Sequence, residues 1–101
     1  MAKAIVTLKI MPDSPETDLK ALEHKVLDSI KHFCNEKDKD GHLKEADYKT
    51  VIEPVAFGLK AIKLTFVMEE SRGSTEKLEN EISGFEDVNS VEVVDVRRAI
   101  G

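Results

Sequence analysis

Ala61-Ile62-Lys63-Leu64-Thr65-Phe66-Val67-Met68 decides how this chain folds. Its even positions are large and apolar, and the odd ones are smaller or polar. Period-two alternation of this kind marks a strand with one buried face. Ala4, Val6, Leu8 and Ile10 repeat the same even phase near the N-terminus, with Ile5, Thr7 and Lys9 between them. Two strands of matched phase predict one sheet with Val6, Leu8, Ile10, Ile62, Leu64 and Phe66 on its inner face. Extended backwards, the phase sets Phe57 on the odd face, away from the core. Phe57 beside Gly58 then reads either as an exposed binding residue or, if Gly58 bulges the strand, as a filler at one end of the core.

Between the two strands, Pro12-Asp13-Ser14-Pro15 ends the first and opens a helix. Ser14 is the expected N-cap, with Pro15 at the first helical position and Glu16 and Asp18 favouring the positive helix end. Leu19, Leu22, Val26, Ile30 and Phe33 form the apolar stripe of that helix. A short strand is expected near Tyr48–Ile52, stopped by Pro54, and the strong one runs over about Leu59–Glu69. After the turn Glu70-Ser71-Arg72-Gly73, Ser74 or Thr75 caps a second helix whose stripe is Leu78, Ile82 and Phe85. Gly84 suits a left-handed helix end. Ser90–Arg97 reads as the last strand, and its alternation slips between Val93 and Val94, which predicts a bulge or burial on both sides. The order strand, helix, strand, strand, helix, strand predicts an α+β protein of the ferredoxin-like sandwich class, βαββαβ, with two helices on one face of a four-stranded antiparallel sheet.

At 101 residues the chain is expected to form a single domain, 1–101, with one core and a polar loop or insertion near 35–49. Charged residues make up 35% and the formal net charge is −5, which argues against nonspecific binding to nucleic-acid phosphates. The odd, outward positions Lys3, Ile5, Thr7, Lys9, Ala61, Lys63, Thr65 and Val67 hold no aromatic for stacking bases, so no direct nucleic-acid partner is expected. Cys34 is the only cysteine, which excludes an intrachain disulfide and a CxxC pair. With no apolar run long enough to span a bilayer and no secretory h-region, no membrane partner and a cytoplasmic location are expected.

Glu36-Lys37-Asp38-Lys39-Asp40-Gly41 and the residues up to Asp47 partly mimic a calcium-binding EF-hand loop. Glu36 replaces the leading Asp, and Asp47 replaces the long bidentate Glu, so no tight calcium site is expected there. His24, His32 and His42 are too scattered to hold a metal together. Neither a nucleophile–base signature, a phosphate-binding glycine loop nor an HExxH motif is present, so no catalytic residue, cofactor or metal is assigned and the chain does not read as an enzyme.

Pro54-Val55-Ala56-Phe57-Gly58-Leu59-Lys60, Gly84-Phe85-Glu86-Asp87-Val88 and Ser90 to Arg98 together resemble the elongation factor 1-beta family. Leu8-Lys9-Ile10-Met11-Pro12-Asp13-Ser14-Pro15 is particularly similar to its short archaeal form, and the likeness covers nearly the whole chain in order. The resemblance implies the same ferredoxin-like fold and a guanine-nucleotide exchange factor for elongation factor 1-alpha, the GTPase that delivers aminoacyl-tRNA. It also implies partner-binding roles for Phe57 and Gly58 in the turn, where the family's aromatic docks on the GTPase. The family's C-terminal tail helps to disturb the GTPase's magnesium and phosphate site. Eukaryotic members carry a lysine there, whereas this chain has Arg97-Arg98-Ala99-Ile100-Gly101, so Arg97 or Arg98 is the candidate to bring that charge. A regulatory or small-ligand-binding module of the ACT-like type is the competing reading of the same fold.

Overall fold

The computed structural model describes residues 3–35, 37, 39–42 and 47–99. The elements are β1 (Lys3–Pro12), α1 (Leu19–Cys34), β2 (Tyr48–Pro54), β3 (Lys60–Glu69), α2 (Glu76–Ser83) and β4 (Val88–Ala99). The strands form one sheet in the order β2-β3-β1-β4, antiparallel throughout. This is the predicted ferredoxin-like α+β arrangement.

Matched phase produces the core. Leu8 lies opposite Leu64, Val6 opposite Phe66 and Ile10 opposite Ile62, so the even residues of both central strands share one face. Leu22, Val26 and Ile30 of α1 and Leu78 and Ile82 of α2 cover that face and are buried, as are the six inner-face strand residues. Leu19, Phe33 and Phe85 of the expected stripes are instead partly buried and pack against the core's edge. Ser29, the buried polar residue between the helices, donates to Glu81 Oε1 at 3.2 Å, so its hydroxyl is satisfied. On β4 the slip is a bulge: Thr7 pairs with Asp95 and Leu8 with Val93, leaving Val94 as the extra residue. Val94 is exposed, which rules out burial on both sides. The bulge lets Val91, Val93 and Val96 share a face despite their uneven spacing.

Three local expectations are corrected. The N-cap of α1 is Asp18, whose Oδ1 accepts from Ala21 N–H at 3.1 Å, and not Ser14. Ser14 instead accepts from Glu16 N–H at 3.2 Å and its carbonyl from Thr17 N–H, a turn that delays the helix. Asp18→Ala should therefore cost about 0.5–2 kcal/mol in thermal unfolding, and Ser14→Ala clearly less. Gly84 closes α2 in a right-handed conformation, φ −80° and ψ −7°. The left-handed cap belongs to Asn35 after α1, φ 49°, whose N–H reaches the Lys31 carbonyl. Ala61, read as outward, is buried: its methyl group is short and lies opposite the longer Glu53 side chain.

The open face of the sheet is built from paired polar groups. Thr7 and Thr65 share a hydroxyl hydrogen bond of 2.9 Å. Glu53 lies 3.2 Å from Lys63 and 3.7 Å from Lys9. The Lys63 contact, with Lys9 behind it, holds the Glu53 carboxyl below the usual range. Among the described residues this face shows no aromatic, so it offers no stacking platform for bases.

Candidate functional site

The hairpin joining β2 to β3 is a five-residue loop closed by two backbone bonds: Val55 N–H donates to the Leu59 carbonyl at 2.8 Å, and Leu59 N–H to the Ala56 carbonyl at 3.3 Å. Inside it, Ala56–Leu59 makes a four-residue turn of the primed type that suits hairpins, with positive φ at both central residues. Phe57 and Gly58 both adopt left-handed backbone, φ 62° and 75°. Glycine tolerates that conformation, whereas phenylalanine pays a steric penalty of about 1–2 kcal/mol. The strain brings no burial in return, since Phe57 is 93% exposed. Its exposure follows from the turn rather than from strand parity, because β3 begins only at Lys60.

Gly58 faces the turn before α1: a Cβ there would lie 3.9 Å from Pro15 Cβ. Asp13 N–H donates to the Asp87 carbonyl at 2.9 Å, which joins that turn to the loop before β4. Lys25 bonds Asp87 at 2.8 Å and lies 5.3 Å from the centre of the Phe85 ring. Phe57 thus projects from an end of the sheet where three loops are tied together.

Arg97 and Arg98 lie at the other end. Ile62 pairs with Ile10 beside the Phe57 hairpin, whereas Arg97 pairs with Ile5 and Arg98 with Ala4. The ten residues of β3 separate the two ends by about 30 Å, so the four candidate residues form two sites. Neighbours on a strand point to opposite faces. Arg97 lies on the open face and donates to Asp95 at 2.8 Å. Arg98, on the helix-side face, forms a two-point bond with Glu70 at 2.8 and 2.7 Å. That guanidinium holds the Glu70 carboxyl below its ordinary range. The clasp is therefore complete above the usual carboxylate range and lost only as pH falls through Glu70's depressed value. Glu70 is 28 residues from Arg98, and in the sequence it reads only as part of a turn.

Among the described residues no group of three or more His, Cys, Asp or Glu converges to hold a metal. Glu36, Asp38 and 43–46 of the EF-hand-like loop lie outside the described residues, and so does the expectation made for them. No helix of the described residues is long and apolar enough to cross a membrane.

The described residues form a ferredoxin-like α+β sandwich that carries an exposed phenylalanine, in left-handed backbone, at one end of its sheet. The chain belongs to the EF-1 guanine nucleotide exchange domain family, whose model matches residues 5–99. Proteins named elongation factor 1-beta are similar over nearly their whole length. The one from Staphylothermus marinus is 39% identical over 97% of this chain and 98% of its own. The one from Methanobrevibacter smithii is 38% identical with the same coverage, and that from Methanocaldococcus jannaschii is 38% identical over 98% of this chain and 100% of its own. Among solved structures, a de novo designed protein, Foldit4, matches with a TM-score of 0.58 over 98% of both chains at 15% identity, a likeness of fold alone. The chain is a guanine-nucleotide exchange protein of translation elongation, of the archaeal type.

Proposed function

We propose that this chain, acting as a single exchange domain in the cytoplasm, promotes GDP-for-GTP exchange on elongation factor 1-alpha by gripping it at two points. The observation that carries the reading is Phe57: a 93% exposed phenylalanine held in strained left-handed backbone at a hairpin tip. A rigid aromatic loses little freedom on docking and fills a pocket on its partner. Gly58 keeps the turn tight enough for Phe57 to lead. About 30 Å away, the guanidinium of Arg97 or Arg98 approaches the region where the GTPase holds Mg²⁺ and the β-phosphate.

Exchange requires no bond chemistry, so on this reading the protein is not an enzyme. It must bind the nucleotide-free GTPase more tightly than the GDP-bound one, and linkage then weakens GDP binding by the same factor. The Phe57 grip supplies affinity, and a cation competing with Mg²⁺ supplies the difference between the two states. Titration against both forms tests this: the nucleotide-free GTPase should bind more tightly, and equal affinities would contradict it.

The two arginines differ in how firmly they are held. Arg97 has one bond, to a residue two positions away on its own strand, and its side chain is 76% exposed. Arg98 must leave a two-point clasp to reach a partner. Arg97→Ala should therefore slow GDP release about tenfold, the value of one charged hydrogen bond, with a smaller effect on complex formation. Equal losses in release rate and in affinity would make Arg97 an ordinary contact.

A further inference from the structure

β2 is the outermost strand on its side of the sheet, and two bonds to β3 fix which way its backbone points. Val55 N–H donates to the Leu59 carbonyl, and Val67 N–H to the Asp47 carbonyl at 3.1 Å. Asp47 and Val55 flank β2 at odd positions, in line with a register that runs unbroken from Tyr48 opposite Phe66 to Pro54 opposite Lys60. Antiparallel ladders alternate every second residue. Lys49, Val51 and Glu53 therefore turn their backbone groups to β3. Tyr48, Thr50 and Ile52 turn N–H and C=O to the outer edge, and Pro54 turns a carbonyl alone. The Thr7–Thr65 hydroxyl bond agrees, since odd residues of β3 are then in the non-hydrogen-bonded pairs with β1, where side chains come closest.

The side chains along this edge are apolar and open: Tyr48 is 49%, Val51 47% and Ile52 44% exposed. At the opposite edge, β4 is interrupted by register shifts at Val94 and beside Val88, and such irregularity opposes pairing with another strand. β2 has no such shift.

We propose that β2 pairs antiparallel with β2 of a second copy of this chain, about a two-fold axis through Val51, so that the two sheets become one. The strand is complementary to itself in that register. Thr50 and Ile52 exchange both backbone bonds with the second copy's Ile52 and Thr50, and Tyr48 N–H donates to the second copy's Pro54 carbonyl. On the open face Val51 meets Val51, and Lys49 faces the second copy's Glu53 on both sides of the axis. Glu53 is already held over that face by Lys63 and Lys9. A slip of two residues in one direction sets Glu53 against Asp47, like charge on like charge. A slip in the other direction places Pro54 opposite Thr50, where its missing N–H breaks the ladder.

Lys49 and Pro54 are the kinds of residue that guard a free edge. Here Lys49 finds an opposite charge, and Pro54 falls at the last pair. The strands run in opposite directions, so the two Phe57 turns project from opposite ends of the joined sheet and stay exposed. The inference rests on β2 alone and stands or falls independently of the exchange function.

Sedimentation equilibrium from micromolar to millimolar protein, with amide hydrogen exchange by NMR, tests it. The mass should rise with concentration from 11.3 kDa toward twice that value. The Thr50 and Ile52 amides should gain protection as it does, while Lys49, Val51 and Glu53 are protected throughout. Lys49→Glu sets carboxylates opposite each other, and Val51→Lys sets two ammonium groups across the axis. Each should weaken association about tenfold or more. Both sites are exposed, so unchanged protection of the odd amides will report an intact fold. A single-chain mass at millimolar concentration, a dimer with unprotected Thr50 and Ile52, or equally tight dimers from both variants would overturn the proposal.

Discussion

Phe57→Gly is expected to leave the protein as stable as before or more so, while weakening its grip on the GTPase by about 2 kcal/mol or more, some thirtyfold. Its two halves have separate causes. The side chain is 93% exposed, so removing it takes almost no apolar contact from the fold. Glycine relieves the left-handed strain at φ 62°, worth about 1–2 kcal/mol, and loses about 0.4–1 kcal/mol of that to the freer unfolded chain. The net gain, between zero and about 1.6 kcal/mol, should raise the thermal midpoint by up to about 10 °C in a chain of this length. Phe57→Ala keeps the strain and should leave the midpoint nearly unchanged, with the same loss of binding. A Phe57→Ala protein that melts early and binds normally would remove the anchor role.

Leu64→Ala should cost about 2–5 kcal/mol, a large share of the roughly 5–15 kcal/mol that holds such a domain together. Leu64 is fully buried on a central strand, between Leu8 on β1 and Thr50 on β2. Neighbours on three sides are fixed by the sheet and helices close the fourth, so the cavity cannot collapse far. Urea unfolding should show a lower midpoint with an unchanged slope. A cost below about 1 kcal/mol would mean that the core does not close over this position.

The parts of the fold legible in the sequence are those governed by period. Even-phase alternation in β1 and β3 named the core, and the slip at Val93–Val94 located the bulge. Where two signals of equal local strength competed, reading failed. Ser14-Pro15 has the chemistry of a helix start, but Asp18 lies one turn before Leu22, the first buried helical residue, and burial decides where a helix pays to begin. Gly84 has the chemistry of a left-handed cap, but α2 ends on it in right-handed backbone, and the left-handed cap falls at the end of α1 on Asn35.

The candidate sites were legible as residues and not as an arrangement. Parity placed Phe57 off the core, correctly in outcome, though the cause is a turn that ends before the strand begins. Arg97-Arg98 reads as one basic spot, yet strand geometry sends the two side chains to opposite faces, each toward its own carboxylate. The Glu70 clasp joins residues distant in the chain, and no local pattern announces it.

Release of labelled GDP from elongation factor 1-alpha, followed with increasing amounts of this protein, decides whether two-point docking drives exchange. The rate should rise with concentration, need roughly thirtyfold more Phe57→Gly protein to reach the same value, and reach a lower plateau with Arg97→Ala. An unchanged rate with the folded protein, under conditions where a known exchange factor accelerates release from the same GTPase, would contradict the exchange function outright.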